Sequence, residues 1–250
     1  MASNFKNNFK RLIWLLILTF LNGNALAECV LLVHGLARSD ASLYILDRSL
    51  KNAGYETFRV SYPSRKGNID DLTDLAFSEA ESFCSEETMH VVTHSLGGIL
   101  TRVWLAGGLP NNLGRVVMLG PPNHGSEMVD MLLDIPAFEW IYGDAGLQLG
   151  TTELDLPSQL PPVNFELGII AGRLSINPIL TLATTTANDG VVTVDSTRID
   201  GMQDHVTVMA THSLMMNNPI VIAQAINFLR EGAFVEELSP IDALAYLNND

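Results

Sequence analysis

Val30-Leu31-Leu32-Val33 is an unbroken apolar row that leads directly into His34-Gly35. A strand with one wet face alternates apolar and polar residues. A short run without alternation is buried on both faces, as in parallel sheets covered by helices on each side. The segments that follow keep this rhythm. Ser39 and Asp40 can cap a helix in which Leu43, Leu46 and Leu50 recur at helical spacing, and Asn52 to Gly54 end it. Residues 55–62 predict a second strand, stopped by Pro63. Residues 69–83 predict a helix with Leu72, Leu75, Ala76, Phe77 and Ala80 on one face. Residues 89–93 predict a third strand, feeding a helix over 96–106 with Ile99, Leu100 and Val103 inward. Residues 115–119 predict a fourth strand, ended by Pro121-Pro122. Residues 165–171 and 205–210 predict two more strands. A last helix spans 219–230, with Pro219 at its start where a missing N–H costs nothing. Residues 231–250 read as an acidic tail. Strands alternating with helices give βαβ units, right-handed crossovers and a mostly parallel sheet. Ligands of such sheets sit at the C-terminal ends of the strands.

Two segments stand apart from this rhythm. Residues 1–27 open with Lys6, Lys10 and Arg11. An apolar run from Leu12 to Leu21 follows, broken only by Thr19, and then Ala25-Leu26-Ala27. That order predicts a secretory signal peptide cleaved after Ala27, with a run too short to remain as a membrane span. Residues 28–250 are then the folded domain, secreted or periplasmic. Residues 123–164 are rich in Gly, Pro and Leu, with Phe138, Trp140 and Tyr142 clustered. They read as a cap or lid inserted over the sheet end rather than as a second domain.

Loss of residues 1–27 removes three cations and no acid, which takes the formal charge from −14 to −17. Such a chain lacks the Lys and Arg that displace counterions from phosphate backbones, which argues against nucleic acid as a partner. It would also be repelled by anionic lipid surfaces. The domain keeps two cysteines, Cys29 and Cys84. In an oxidising compartment that even count predicts a disulfide; two buried free thiols are the alternative. Nothing in the spacing predicts a metal site, and no cofactor is implied.

The chemistry concentrates where strands end. Thr93-His94-Ser95-Leu96-Gly97-Gly98 joins the third strand to its helix. A nucleophile elbow needs that strand–turn–helix context and small residues two before and two after the Ser. Gly97 satisfies this; Thr93 is small but β-branched. The helix start offers free N–H groups, and the Leu96 N–H would face a developing oxyanion. His34-Gly35-Leu36 follows the first strand, and the Leu36 N–H is the candidate second donor. A Ser hydroxyl also needs an imidazole to take its proton and a carboxylate to hold that imidazole. In this fold class the order is Ser, acid, His. His212 follows the last strand at the end where Ser95 sits. His205 begins that strand and is expected to be a solvated turn residue. For the acid, Asp189 in Asn188-Asp189-Gly190 is favoured, with Asp195 close by as its competitor. Asn123 and His124, in Pro121-Pro122-Asn123-His124-Gly125-Ser126, also follow a strand. With His34, Gly35 and His94 they are candidate substrate contacts.

These segments together resemble bacterial lipases and esterases of the α/β-hydrolase superfamily, near the lecithin–cholesterol acyltransferase and GPI-inositol-deacylase branch. The resemblance implies an α/β-hydrolase fold with a sheet of about six strands. It implies a Ser95–His212–Asp189 triad, oxyanion donors at Leu36 and Leu96, and an ester or lipid substrate. It also implies that the strands near Cys29 and Met89 are neighbours. The two cysteines would then meet at the N-terminal edge of the sheet. Many secreted bacterial lipases hold calcium through an Asp shortly after the His; here Leu214 follows Ser213, so no calcium is expected. An acyltransferase using the same triad, or a catalytically silent binding module, would share the fold.

Overall fold

A computed structural model describes residues 28–248, apart from 86, 134, 179 and 181–183. The expected signal peptide lies outside the described residues. Six strands form one sheet: β1 Cys29–Val33, β2 Glu56–Val60, β3 Met89–His94, β4 Leu113–Leu119, β5 Leu167–Gly172 and β6 Asp204–Val208. Their spatial order is β2-β1-β3-β4-β5-β6, and every pairing is parallel. The unbroken apolar run of β1 now has its physical reason. Leu31 and Val33 face one core, with Ile69, Leu72, Ile99 and Leu100. Val30 and Leu32 face the other, with Leu43, Leu46, Leu50, Val221 and Phe228. No position on this strand meets water, so none is polar.

Four helices make these two layers. Helix α1, Tyr44–Asn52, and α2, Ile69–Phe77, follow the first two strands; α3, Leu96–Ala106, follows β3. Residues 123–164 carry α4, Glu127–Leu132, and α5, Pro136–Leu147. Helix α6, Pro219–Glu231, starts at Pro219, where the Asn218 side chain accepts from the Ile220 N–H.

Three local expectations are corrected. The Ser39 side chain caps nothing; a 3-10 turn, Asp40–Leu43, precedes α1 instead. The helix expected over 69–83 ends at Phe77. A separate turn, Ala80–Phe83, then brings Cys84 to Cys29. The acidic tail is part of the fold. Phe234 packs on Phe228, the Gln224 side chain bonds both N–H and C=O of Val235, and α7, Pro240–Asn248, lies against α6. The segment's apolar residues, Phe234, Val235, Ala243 and Leu244 among them, outnumber its acids, and reading it by charge alone passed over them.

The Cys29–Cys84 disulfide sits at the start of β1, the opposite end of the sheet from Ser95, with Cα atoms 5.7 Å apart. Among the described residues no helix is long and apolar enough to cross a membrane. The bridge closes a loop of 55 residues. Converting both cysteines to serine is therefore expected to lower the unfolding free energy by about 2–4 kcal/mol in urea titrations. An unchanged midpoint would mean that the bridge contributes nothing to stability.

Candidate active site

Ser95 occupies a backbone position that few residues tolerate, with φ 54° and ψ −123°. The chain leaves β3 at His94, turns within one residue and begins α3 at Leu96. The Ser95 N–H donates to the Leu119 carbonyl of β4 at 2.9 Å, which pins the turn to the sheet. A Cβ on Gly97 would fall 2.5 Å from the Val33 carbonyl oxygen and 2.8 Å from that of His34. The first turn of α3 therefore presses on the end of β1, and only glycine fits. Thr93, the irregular position of the elbow, fits because its hydroxyl lies toward Gly98, where a Cβ would stand 3.3 Å away. A bulky residue at 93 is accommodated by a missing one at 98.

His212 opens a 3-10 turn, His212–Asn217, beyond β6. Its Nδ1 lies 2.7 Å from Asp189 Oδ2, and its Nε2 lies 2.9 Å from Ser95 Oγ. The carboxylate can only accept, so Nδ1 carries the proton and Nε2 is free to accept from Ser95. The other carboxylate oxygen, Oδ1, accepts from the N–H groups of Val191 and Val192 at 3.0 and 2.8 Å. The His212 N–H donates to the Asp189 carbonyl. All three side chains are buried. Asp195 lies exposed on a helical turn, Val194–Thr197, and His205 bonds Thr197 near the start of β6. His205 is a half-buried strand residue rather than a solvated one.

Two glycines clear the space for this pair. A Cβ on Gly120, at φ 56°, would stand 3.1 Å from Asp189 Oδ2 and 3.2 Å from His212 Nδ1. One on Gly172 would stand 2.7 Å from Asp189 Cβ. The turn bearing His212 is held from outside as well. His94 Nε2 lies 2.9 Å from the His212 carbonyl, and Arg38 Nη2 donates to the Ser213 carbonyl at 3.2 Å. Sequence reasoning missed Gly120, Gly172 and Arg38. Arg38 left one signal, a cation two residues beyond Leu36 in a strongly acidic chain.

A cavity of about 250 Å³ opens over Ser95. Leu36, Pro122, Met128, Val129, Leu149 and Val192 give it an apolar wall. Met128, Val129 and Leu149 come from the 123–164 segment. The side chains of Phe138 and Trp140 lie outside the described residues. Ala37, at φ 54°, turns the chain sharply after Leu36. Neither the Leu36 nor the Leu96 N–H takes part in the turn, loop and cap bonds among the described residues.

Other candidates for substrate contact do not reach this wall. His34 is buried beneath the loop, its ring stacked on Tyr62 at 4.1 Å, and the Tyr62 hydroxyl donates to its carbonyl. Gly35 lies against the elbow instead; a Cβ there would be 3.0 Å from that of Ser95. Asn123 turns inward, donating to the Thr197 carbonyl and accepting from Arg102. His124 is exposed in a separate hollow with Arg102 and Arg198. His94 does line the cavity. Among the described residues no three His, Cys, Asp or Glu groups converge as metal ligands.

This architecture is the α/β-hydrolase fold. No protein-family model matches the sequence, and no curated protein does. Among solved structures, the chain is similar to the propeptide form of the Bacillus licheniformis lipase BlEst2, with a TM-score of 0.67 at 19% identity. That likeness covers 85% of this chain and 52% of the other, so the chain spans about half of that protein's length. The mature form of the same lipase gives a TM-score of 0.59 at 20% identity, over 77% of this chain and 87% of the other. The metagenomic carboxyl esterase MGS0156 gives 0.60 at 20% identity, over 90% of this chain and 76% of the other.

Burial lowers the imidazole pKa of His94 well below its ordinary value, aided by the neighbouring His212 ring; it lowers that of His205 to about 4. Unfolding returns both to about 6.5. The unfolded chain then binds protons that the folded one refuses, so stability is full above pH 6.5 and falls as pH drops toward 4. Urea unfolding at pH 7 and pH 5 should show a smaller loss for His205→Gln than for the parent. An equal loss would remove His205 as a source of the acid sensitivity.

Proposed function

We propose that this protein is a secreted serine hydrolase that cleaves carboxylic esters with short acyl chains. The observation that carries the reading is the unbroken chain Asp189–His212–Ser95, at 2.7 and 2.9 Å, at the floor of an apolar cavity. A Ser hydroxyl has no such partners by accident of helix capping; the Ser95 side chain caps nothing. The lipase and esterase names among the structural neighbours support the same class of reaction. The disulfide supports passage through an oxidising compartment. The contribution of Met128, Val129 and Leu149 to the cavity supports reading residues 123–164 as a cap.

The chemistry follows from which atom can hold the proton. His212 Nε2 takes the proton of Ser95 Oγ as Oγ bonds the ester carbonyl carbon. The carbonyl oxygen becomes an oxyanion, received by the Leu36 and Leu96 N–H groups. The tetrahedral centre collapses, the bond to the alkoxide breaks, and Nε2 returns the proton to the departing oxygen. A water then repeats the sequence. It gives a proton to Nε2 and attacks the acyl carbon, and Ser95 leaves with its proton restored. Asp189 stays ionised throughout and stabilises the imidazolium. Its two backbone donors keep the carboxylate in place while the charge on His212 changes.

The Ser95→Ala protein should lose about 10⁴–10⁶ in kcat on p-nitrophenyl butyrate, and Asp189→Asn about 10⁴, because an amide favours the wrong imidazole tautomer. Rates within tenfold of the parent for Ser95→Ala would overturn the assignment.

The cavity volume bounds the acyl chain. About 250 Å³ lies below the roughly 300–1,000 Å³ usual for drug-sized ligands. kcat/KM should therefore fall from p-nitrophenyl butyrate to the laurate. A rise with chain length would overturn the short-acyl reading.

A further inference from the structure

Among the described residues, the cavity over Ser95 is lined by one permanent charge, and it is positive. Arg38 lines the rim, and no Asp, Glu or Lys lines it among the described residues. The guanidinium has no carboxylate within 4.0 Å among those residues. The nearest acid on its own loop, Asp40, lies toward Arg59 instead, at 3.7 Å. Arg38 uses Nη2 on the Ser213 carbonyl. Its remaining N–H groups form the flat fork that suits carboxylate or phosphate oxygens. Arg38 is exposed at the cavity mouth, so its remaining N–H groups are open to an incoming anion.

The position of Arg38 assigns the side of the ester it would meet. In the reaction proposed above, His212 Nε2 must reach the departing oxygen to protonate it. The leaving alcohol therefore lies on the His212 side of Ser95. Arg38 bonds the residue next to His212. Its guanidinium thus stands on the side of the cavity that the alcohol would occupy. Ala37, left-handed at φ 54°, sets Arg38 at the rim while Leu36 stays within the cavity wall. The chain carries a net charge of −14, so selection at this point is a short-range matter of one charge-assisted contact.

Resting on the ester-hydrolase reading, we propose that Arg38 is a specificity-determining residue that selects esters whose alcohol portion carries an anionic oxygen group, a carboxylate or a phosphate. The guanidinium binds that group as the acyl carbon meets Ser95. Because it sits beside the His212 turn, the contact also aligns the departing oxygen with Nε2.

The test compares 3-(butanoyloxy)benzoate with its neutral isostere 3-(butanoyloxy)benzamide, on the full protein and on Arg38→Gln and Arg38→Lys. The parent should favour the benzoate by roughly 2–5-fold in kcat/KM, the range of an exposed ion pair. Arg38→Gln keeps an amide donor for the Ser213 carbonyl and should collapse that ratio toward one, and Arg38→Lys should keep part of it. Equal losses on both esters would overturn the proposal and leave Arg38 as a tether of the His212 turn. A parent that hydrolyses the benzamide without preferring the benzoate would overturn this proposal alone. A parent inert to both would overturn the ester-hydrolase reading with it. Monobutyrylglycerol 3-phosphate against monobutyrylglycerol, and micelles of 1-O-hexadecyl-2-butanoylglycerol 3-phosphate, which keep the short scissile acyl group, separate the sources of the anion. Preference for the soluble phosphate would place it on a small metabolite, and preference confined to the micelle would place it on a lipid headgroup.

Discussion

The contact on which the rest depends is the closure of α3 onto the end of β1. Gly97 lies against the carbonyls of Val33 and His34 with no room for a side chain. That closeness forces the chain to turn within a single residue and holds Ser95 at φ 54°. It also carries the loop after β1 across the elbow, so that Gly35 rests on the Ser95 Cβ and Leu36 reaches the cavity. A strained residue persists only where its surroundings over-determine it. Here the surroundings are the β1–β3 pairing and the bond from Ser95 N–H to Leu119. The strain turns the hydroxyl of Ser95 toward the cavity while its backbone stays locked to the sheet.

The second constraint is clearance. Asp189 and His212 come from the loops after β5 and β6, and Ser95 from the turn after β3. They meet because Gly120 and Gly172, at the ends of β4 and β5, leave the volume their side chains would fill. The carboxylate is then fixed by two backbone N–H groups, and the imidazole by the carboxylate, His94 and Arg38 acting on its turn. Each group that must keep its place has more than one partner. The cavity above them is mostly hydrocarbon, which keeps these electrostatic contacts strong.

Much of the fold was legible because burial on both faces leaves an unambiguous mark. The apolar run 30–33 falls within β1 and the segment 89–93 within β3, and the chemistry-bearing loops were placed at the C-terminal end of the sheet by strand direction alone. Asp189 was favoured over Asp195 on triad order, with Asp195 left as a competitor; the turn after β5 sets Asp189 beside His212 and leaves Asp195 exposed. Thr93 was read as a defect because its compensation, Gly98, acts across space. Asn123 and His124 were read as site residues because a polar loop after a strand resembles one. Asn123 instead satisfies Arg102 and Thr197, and His124 points into another hollow. Arg38 was invisible as a contact because its partner is a backbone carbonyl 175 residues away.

The central claim is that this geometry makes Ser95 a nucleophile. A fluorophosphonate reacts only with an activated hydroxyl and leaves a fixed mass on it. Treating the full protein and mapping its peptides by mass spectrometry should give one adduct per chain, on Ser95, and His212→Asn should slow its appearance by orders of magnitude. Absence of an adduct in the parent, or an adduct on another residue, would contradict the account.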